Sequence, residues 1–161
     1  MEQIPVIFAE RTPNFLELER RGMVLFTDWS GSKITKSPKF LFWIDQSHFH
    51  FLASQKGTPG LNHPDSRPGQ YQPELWKYDV AEFFLLSSDE SQYLEFNLAP
   101  NGGWWSSAFC GPLIPAPGEP LPIPNVKTLA EVSSDGWRAS ASIPLSWLQK
   151  SYGFSKSTFL N

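Results

Sequence analysis

Glu82 and Glu95 lie in neighbouring segments whose apolar residues recur at every second position. In 80–86, Ala81, Phe83 and Leu85 fall on one strand face, with Val80, Glu82, Phe84 and Leu86 on the other. In 93–98, Leu94, Phe96 and Leu98 oppose Tyr93, Glu95 and Asn97. An unbroken apolar row must turn inward, so Tyr93, Glu95 and Asn97 face outward, and a short turn at 87–91 lays Glu82 beside them. Such a polar face suits three chemistries: hydrogen bonding to sugar hydroxyls, carboxylate-dependent glycoside hydrolysis at the correct separation, and oxygen ligation of a hard cation such as calcium. Trp76, Trp104 and Trp105 stand at strand ends or turns beside it. An indole offers a flat apolar face and one donor, which suits it to stacking on a sugar ring. Adjacent Trp104 and Trp105 point to opposite faces in an extended strand, so one belongs to the core and one to the surface; spacing alone leaves open which. Arg138 alternates out of the apolar row Trp137, Ala139, Ala141 and Ile143, placed to pair with a carboxylate or an acidic ligand group. Trp29, Trp43, Trp137 and Trp147 read as packing residues.

Signatures of other chemistries are absent. The chain has no Gly-x-Ser-x-Gly elbow, no phosphate-cradling glycine loop with lysine, no His-Glu-x-x-His and no Cys-x-x-Cys. His48 and His50 share a strand face at i and i+2, but a metal would need further ligands that the local sequence does not supply. A solvated strand face accounts for the pair better. Cys110, the single cysteine, has no internal disulfide partner and makes no thiolate site alone.

The elements that carry these residues read as strands. The 161 residues include 24 aromatics (7 Trp, 4 Tyr and 13 Phe) and 15 prolines, a load of β-formers and helix breakers that suits sheets joined by long loops. With 40% hydrophobic and 18% charged residues the composition excludes disorder. A net charge of −3 gives no electrostatic reason to expect nucleic acid or an anionic membrane as partner. No stretch approaches the roughly 18 apolar residues of a membrane span, and the N-terminus lacks a basic leader, so the chain reads as cytoplasmic as written, or secreted if a signal has been removed. Residues 40–44 and 49–53 predict a hairpin about turn residues 45–47; 81–86, 93–98 and 104–109 predict a three-stranded meander. Only 14–21 suggests a helix, and 145–148 a single helical turn. The stretch 56–73 is a loop, and 112–124, with six prolines, reads as an extended surface connector.

The segment 75–85 (LWKYDVAEFFL), with Trp76, Asp79, Glu82 and Phe84 in order, resembles the central strand of the family-nine-like carbohydrate-binding modules. The segment 93–104 (YLEFNLAPNGGW) is similar to the strand and turn that follow it there and in the related DOMON-like domains; 136–144 (GWRASASIP) resembles their late strand before a helical turn. The order holds from about residue 29 onward. The resemblance implies one all-β domain over 1–161, an antiparallel β-sandwich of immunoglobulin-like or jelly-roll type with long Pro-rich loops. It also implies that the last strands of the family lie beyond the chain, which stops just as Phe159 and Leu160 begin another strand, leaving an open sheet edge for a protein partner. It points to non-catalytic binding of a carbohydrate or small polyol, with Trp76, Trp104 and Trp105 stacking and Glu82, Tyr93, Glu95, Asn97 and Arg138 supplying polar contacts. Calcium stays open as a structural ion. Haem, held in DOMON relatives by Met and His, is disfavoured because the chain has only Met1 and Met23. The competing readings are a carboxylate-dependent glycoside hydrolase or lyase, a haem-binding DOMON-type domain, and an orphan interaction domain.

Overall fold

Period-two alternation places one side of each strand against a second sheet, and the chain folds into two sheets packed face to face. The computed structural model describes residues 4–28, 30–117, 122–155 and 158–160. Thirteen elements follow in order: β1 (Val6–Phe8), α1 (Phe15–Arg21), β2 (Met23–Val24), β3 (Lys39–Ile44), β4 (His48–Lys56), β5 (Ala81–Leu86), β6 (Tyr93–Leu98), β7 (Trp104–Gly111), β8 (Ile114–Pro115), β9 (Lys127–Val132), β10 (Gly136–Pro144), α2 (Leu145–Tyr152) and β11 (Phe159–Leu160). The first sheet has the order β1-β3-β4-β10-β9, with β2 also on β3; the second has the order β11-β5-β6-β7-β8. Among the described residues the named strands pair antiparallel except β1 with β3. The all-β sandwich, the early hairpin and the meander are as the sequence predicts, and Phe159 and Leu160 form a strand paired to Leu86 and Leu85.

The core between the sheets is built from alternate residues: Phe42 on β3, Phe49, Phe51 and Ala53 on β4, and Trp137, Ala139, Ala141 and Ile143 on β10 face Phe83, Leu85, Leu94, Phe96, Leu98, Trp104 and Ala108. Phe83 joins the two layers. Its ring meets Phe51 edge-on at 4.9 Å and Phe42 at 5.6 Å across the gap, and stacks on Phe96 at 5.2 Å within its own sheet. Phe96 in turn stacks flat on Trp104 at 5.7 Å.

The outer face of the first sheet is partly roofed. Helix α1 starts where Asn14 Oδ1 accepts from the backbone N–H groups of Leu16 and Glu17 at 3.0 and 3.3 Å. It carries Arg20 and Arg21 in its last turn, where cations suit the helix dipole. Its Leu18 is buried on Leu41, Trp43 and Leu52, the outward residues of β3 and β4.

Two expectations need correction. The single turn at 145–148 is a helix of eight residues, because Leu148 and Tyr152, one turn apart, both reach the core and Gly153 ends it in a left-handed conformation. The proline-rich stretch is not wholly a surface connector: it adds β8, and Ala116 and Ile123 are buried in the core. Trp29 lies outside the described residues. Strands β1, β2 and β9 carry too few or too mixed apolar residues to be read from alternation. Among the described residues no helix is long and apolar enough to cross a membrane.

Gly102 lets the β6–β7 turn close. Its φ of 86° is open to glycine, and a Cβ there would press on Thr128, Ala130 and Pro68.

Two expected outcomes follow. Trp104→Ala removes a core indole and costs about 3–5 kcal/mol in urea denaturation. Tyr152→Phe breaks the buried 2.6 Å bond from the Tyr152 hydroxyl to the Leu85 carbonyl and costs about 0.5–1.5 kcal/mol in the same assay.

Candidate functional site

The outer face of the second sheet gathers most of the predicted polar residues. Strand register sets Glu82, Asn97 and Trp105 in one row across β5, β6 and β7, and Phe84, Glu95 and Ser107 in the next. A third row holds Leu86, Tyr93 and Phe109, with the last two rings stacked at 5.1 Å. Four predicted residues, Glu82, Tyr93, Glu95 and Asn97, therefore share a face, although Tyr93 packs into the aromatic end of it.

Of the tryptophan pair, Trp104 points inward and Trp105 outward. Trp104 is core: it stacks on Phe96, meets Tyr71 edge-on at 5.2 Å and donates its indole N–H to the Gly69 carbonyl at 3.3 Å. Its grouping with the ligand-facing residues is thus corrected, because alternation along β7 leaves it no path to the outer face. Trp105 is on that face yet only 8% exposed, because Trp76 leans on it with ring centroids 4.5 Å apart. The open indole is Trp76, at 47% exposure.

Local chemistry holds Trp76 in place. Leu75, fully buried, anchors a single 3-10 turn over Leu75–Lys77, so its neighbour Trp76 is turned outward. Asp79 then clamps the preceding loop: its Oδ2 accepts from the Gly60 and Leu61 backbone N–H groups at 2.6 and 3.1 Å, while the Asp79 N–H donates to the Leu61 carbonyl. His63 packs on Tyr78 with centroids 4.6 Å apart and ties the same loop to the turn. The sequence reading included Asp79 only as a letter of the strand pattern; a carboxylate that bonds main chain 18 and 19 residues away leaves no sequence signal.

The centre of the site is polar and incompletely bonded. Asn97 is fully buried. Its Nδ2 donates to Glu95 Oε1 at 2.8 Å, while its Oδ1 has no partner among the described residues. A buried acceptor without a donor carries a substantial free-energy cost, and a ligand hydroxyl or N–H would relieve it. Crowding by the surrounding protein pushes the Glu82 carboxyl above the usual carboxylate range, and the nearby Glu95 charge adds to the shift.

Arg138 is not part of this face. It lies on the outer face of the first sheet, donates to Glu131 Oε2 at 2.7 Å and covers the Phe15 ring at 4.9 Å. Alternation gives its direction but cannot say which sheet β10 joins. The pairing with a carboxylate is internal. The histidine pair also lies on the first sheet. Both ring nitrogens of His50 are engaged, one by Asp45 and one by Ser142, which leaves neither for a metal ion. Among the described residues no group of three or more His, Cys, Asp or Glu side chains could hold one.

No family profile matches the chain. A short segment resembles the UPF0462 protein C4orf33 homologues: 41% identity over 54 residues with that of Danio rerio and 39% over 54 residues with that of Rattus norvegicus. The match covers 32% of this chain and spans about a quarter (27%) of the length of either relative. Among solved structures, the fold is similar to a Bacteroides uniformis protein inferred to bind carbohydrate (TM-score 0.58, 11% identity, 98% of this chain and 77% of that one). It is also similar to a family 9 carbohydrate-binding module from Caldicellulosiruptor kristjanssonii in complex with cellotriose (TM-score 0.51, 17% identity, 87% of this chain and 67% of that one). At these identities the likeness is one of architecture: the chain shares the β-sandwich fold of the family 9 carbohydrate-binding modules.

Proposed function

We propose that the protein binds a carbohydrate or small polyol, without transforming it, on the outer face of the second sheet. The observation that carries this reading is the juxtaposition of an exposed indole, Trp76, with a polar row in which the buried Asn97 Oδ1 has no donor among the described residues. A sugar ring matches both halves. Its C–H face stacks on the indole, and its hydroxyls donate to Asn97 and to the Glu82 and Glu95 carboxylates, which lie on the same two strands. The shared fold with a module that holds cellotriose supports the choice of ligand class. Binding fits better than hydrolysis because Glu95 is already engaged by Asn97 and the site is a strand face rather than a cleft that would exclude water from a reacting bond.

Titration calorimetry with glucose and cello-oligosaccharides tests the reading. Trp76→Ala should lose stacking worth about 1–3 kcal/mol, judged from aromatic stacking on other ring ligands, and so weaken binding roughly 5- to 150-fold while the melting curve hardly moves. Trp105→Ala should lower both affinity and melting temperature, because that indole is buried beneath Trp76. No heat with any sugar, together with an unchanged response in Trp76→Ala, would overturn it.

Glu82 gives a second expected outcome. Its folded-state pKa is raised from 4.5, so folding favours its protonated form. The stability this group contributes is fully present below pH 4.5 and is lost as pH rises through the folded value. Glu82→Gln should therefore melt higher than the parent at pH 7, and the difference should vanish on acidification below pH 4.5.

A further inference from the structure

On the outer face of the first sheet, away from the proposed sugar site, three side chains form a continuous hydrogen-bonded chain. Asp45 Oδ2 lies 2.8 Å from His50 Nε2, and His50 Nδ1 lies 2.8 Å from Ser142 Oγ. Asp45 and His50 are 9% and 2% exposed, whereas Ser142 is only half-buried. The order along the sequence is Asp, His, Ser, with the serine 92 residues beyond the histidine, so no local motif could disclose it.

Protonation follows from the bonding. Burial alone would raise the Asp45 carboxyl, but the Ser47 backbone N–H, the His50 ring and the His48 backbone N–H together hold it well below the usual carboxylate range, so it is ionised. Burial lowers the His50 pKa, against the pull of Asp45, so the ring is neutral near pH 7. A neutral imidazole has one N–H, and the ionised carboxylate can only accept; the proton therefore sits on Nε2 and the Nδ1 lone pair faces Ser142. That lone pair is a base aimed at a serine hydroxyl, with a buried carboxylate behind it to stabilise the imidazolium.

Asp45 is itself fixed. Its Oδ1 accepts from the Ser47 and His48 N–H groups at 2.8 Å each, and its Oδ2 also accepts from the Thr12 hydroxyl at 3.1 Å. His50 is held between Trp43 and Ser142 by strand register, and the next residue across is Lys127 of β9. Directly paired residues share a face, so an exposed lysine lies on the same face as Ser142, one strand across.

We propose that Ser142 is an activated nucleophile that takes an acyl or phosphonyl group from small activated esters. In the acyl case Ser142 Oγ bonds to the carbonyl carbon as its proton passes to His50 Nδ1. The bond to the alkoxide or phenoxide leaving group then breaks, and that group departs with the proton from His50. The product is a Ser142 ester and a free alcohol or phenol, with no redox change. Water attacking by the same route, with His50 again taking the proton, returns the carboxylic acid and the free serine. The Lys127 ammonium is the cation available to the oxyanion formed between these steps.

The proposal rests on its own residues and stands or falls separately from sugar binding. The test exposes the full chain to a phosphonyl fluoride, in which the P–F bond breaks as Oγ–P forms, and follows intact mass, site of attachment and rate. The expected result is one adduct, located on Ser142, forming at least 100-fold faster in the native protein than in the same protein unfolded in urea. Ser142→Ala should abolish it with sugar binding unaltered, Ser140→Ala on the same strand face should retain it, and His50→Gln should slow it by about 100-fold or more. No Ser142 adduct, a native rate equal to that in urea, or a rate untouched in a folded His50→Gln protein would overturn the proposal. The native-to-unfolded ratio decides the matter even if His50→Gln does not fold.

Discussion

Phe83 is the constraint on which the rest of the sandwich depends. Its ring is fully buried and within packing distance of Phe42, Phe49 and Phe51 on the opposite sheet and Phe96 on its own. An aromatic cluster of this kind cannot be satisfied if β5 slips by one residue, because the slip would put Glu82 and Phe84 into the core and Phe83 into water. Register at Phe83 therefore also fixes Glu82 outward, opposite Asn97, and through Asn97 sets the position of Trp105. The composition of the core thus decides the composition of the opposite face.

That outer face is shaped by what covers it. Trp105, the outward indole of the adjacent pair, is roofed by Trp76, which arrives from the loop side on a turn anchored by Leu75 and clamped through Asp79. Trp105 is thereby buried, and Asn97 opposite it is buried as well. The cost is a buried carboxamide oxygen without a donor among the described residues. Native proteins leave few such atoms unpaired, and those they leave are concentrated where a ligand or water completes the bonding.

The other sheet manages its outer face differently. Helix α1 buries Leu18 against the apolar half of β3 and β4, and Trp43, beneath it, donates its indole N–H to the Arg11 carbonyl at 2.9 Å. Beside this patch the face turns polar, and Asp45 becomes a node: one carboxylate oxygen closes the β3–β4 hairpin and the other joins the N-terminal segment to His50. A residue read from sequence as a turn former is thereby also the group that sets the histidine tautomer.

Much of the architecture was legible because alternation is a local property. The rows in 80–86, 93–98 and 137–143 determined which residues face the core, and the polar row Glu82, Tyr93, Glu95 and Asn97 was readable as a shared face from strand period and a short turn. Helix α1 likewise falls within the stretch 14–21 that suggested one. What only the tertiary structure decided is everything that depends on which segment lies beside which. Sequence could say that Trp104 and Trp105 diverge, but the direction was set by the inward stack of Trp104 on Phe96; that Arg138 points outward was readable, but not that β10 belongs to the opposite sheet. The clamp from Asp79 to Gly60 and the line from Asp45 through His50 to Ser142 join residues far apart in the chain. Periodicity carries no information about such pairs, because their bonds form across strands and loops that only the folded packing brings within 3 Å of one another.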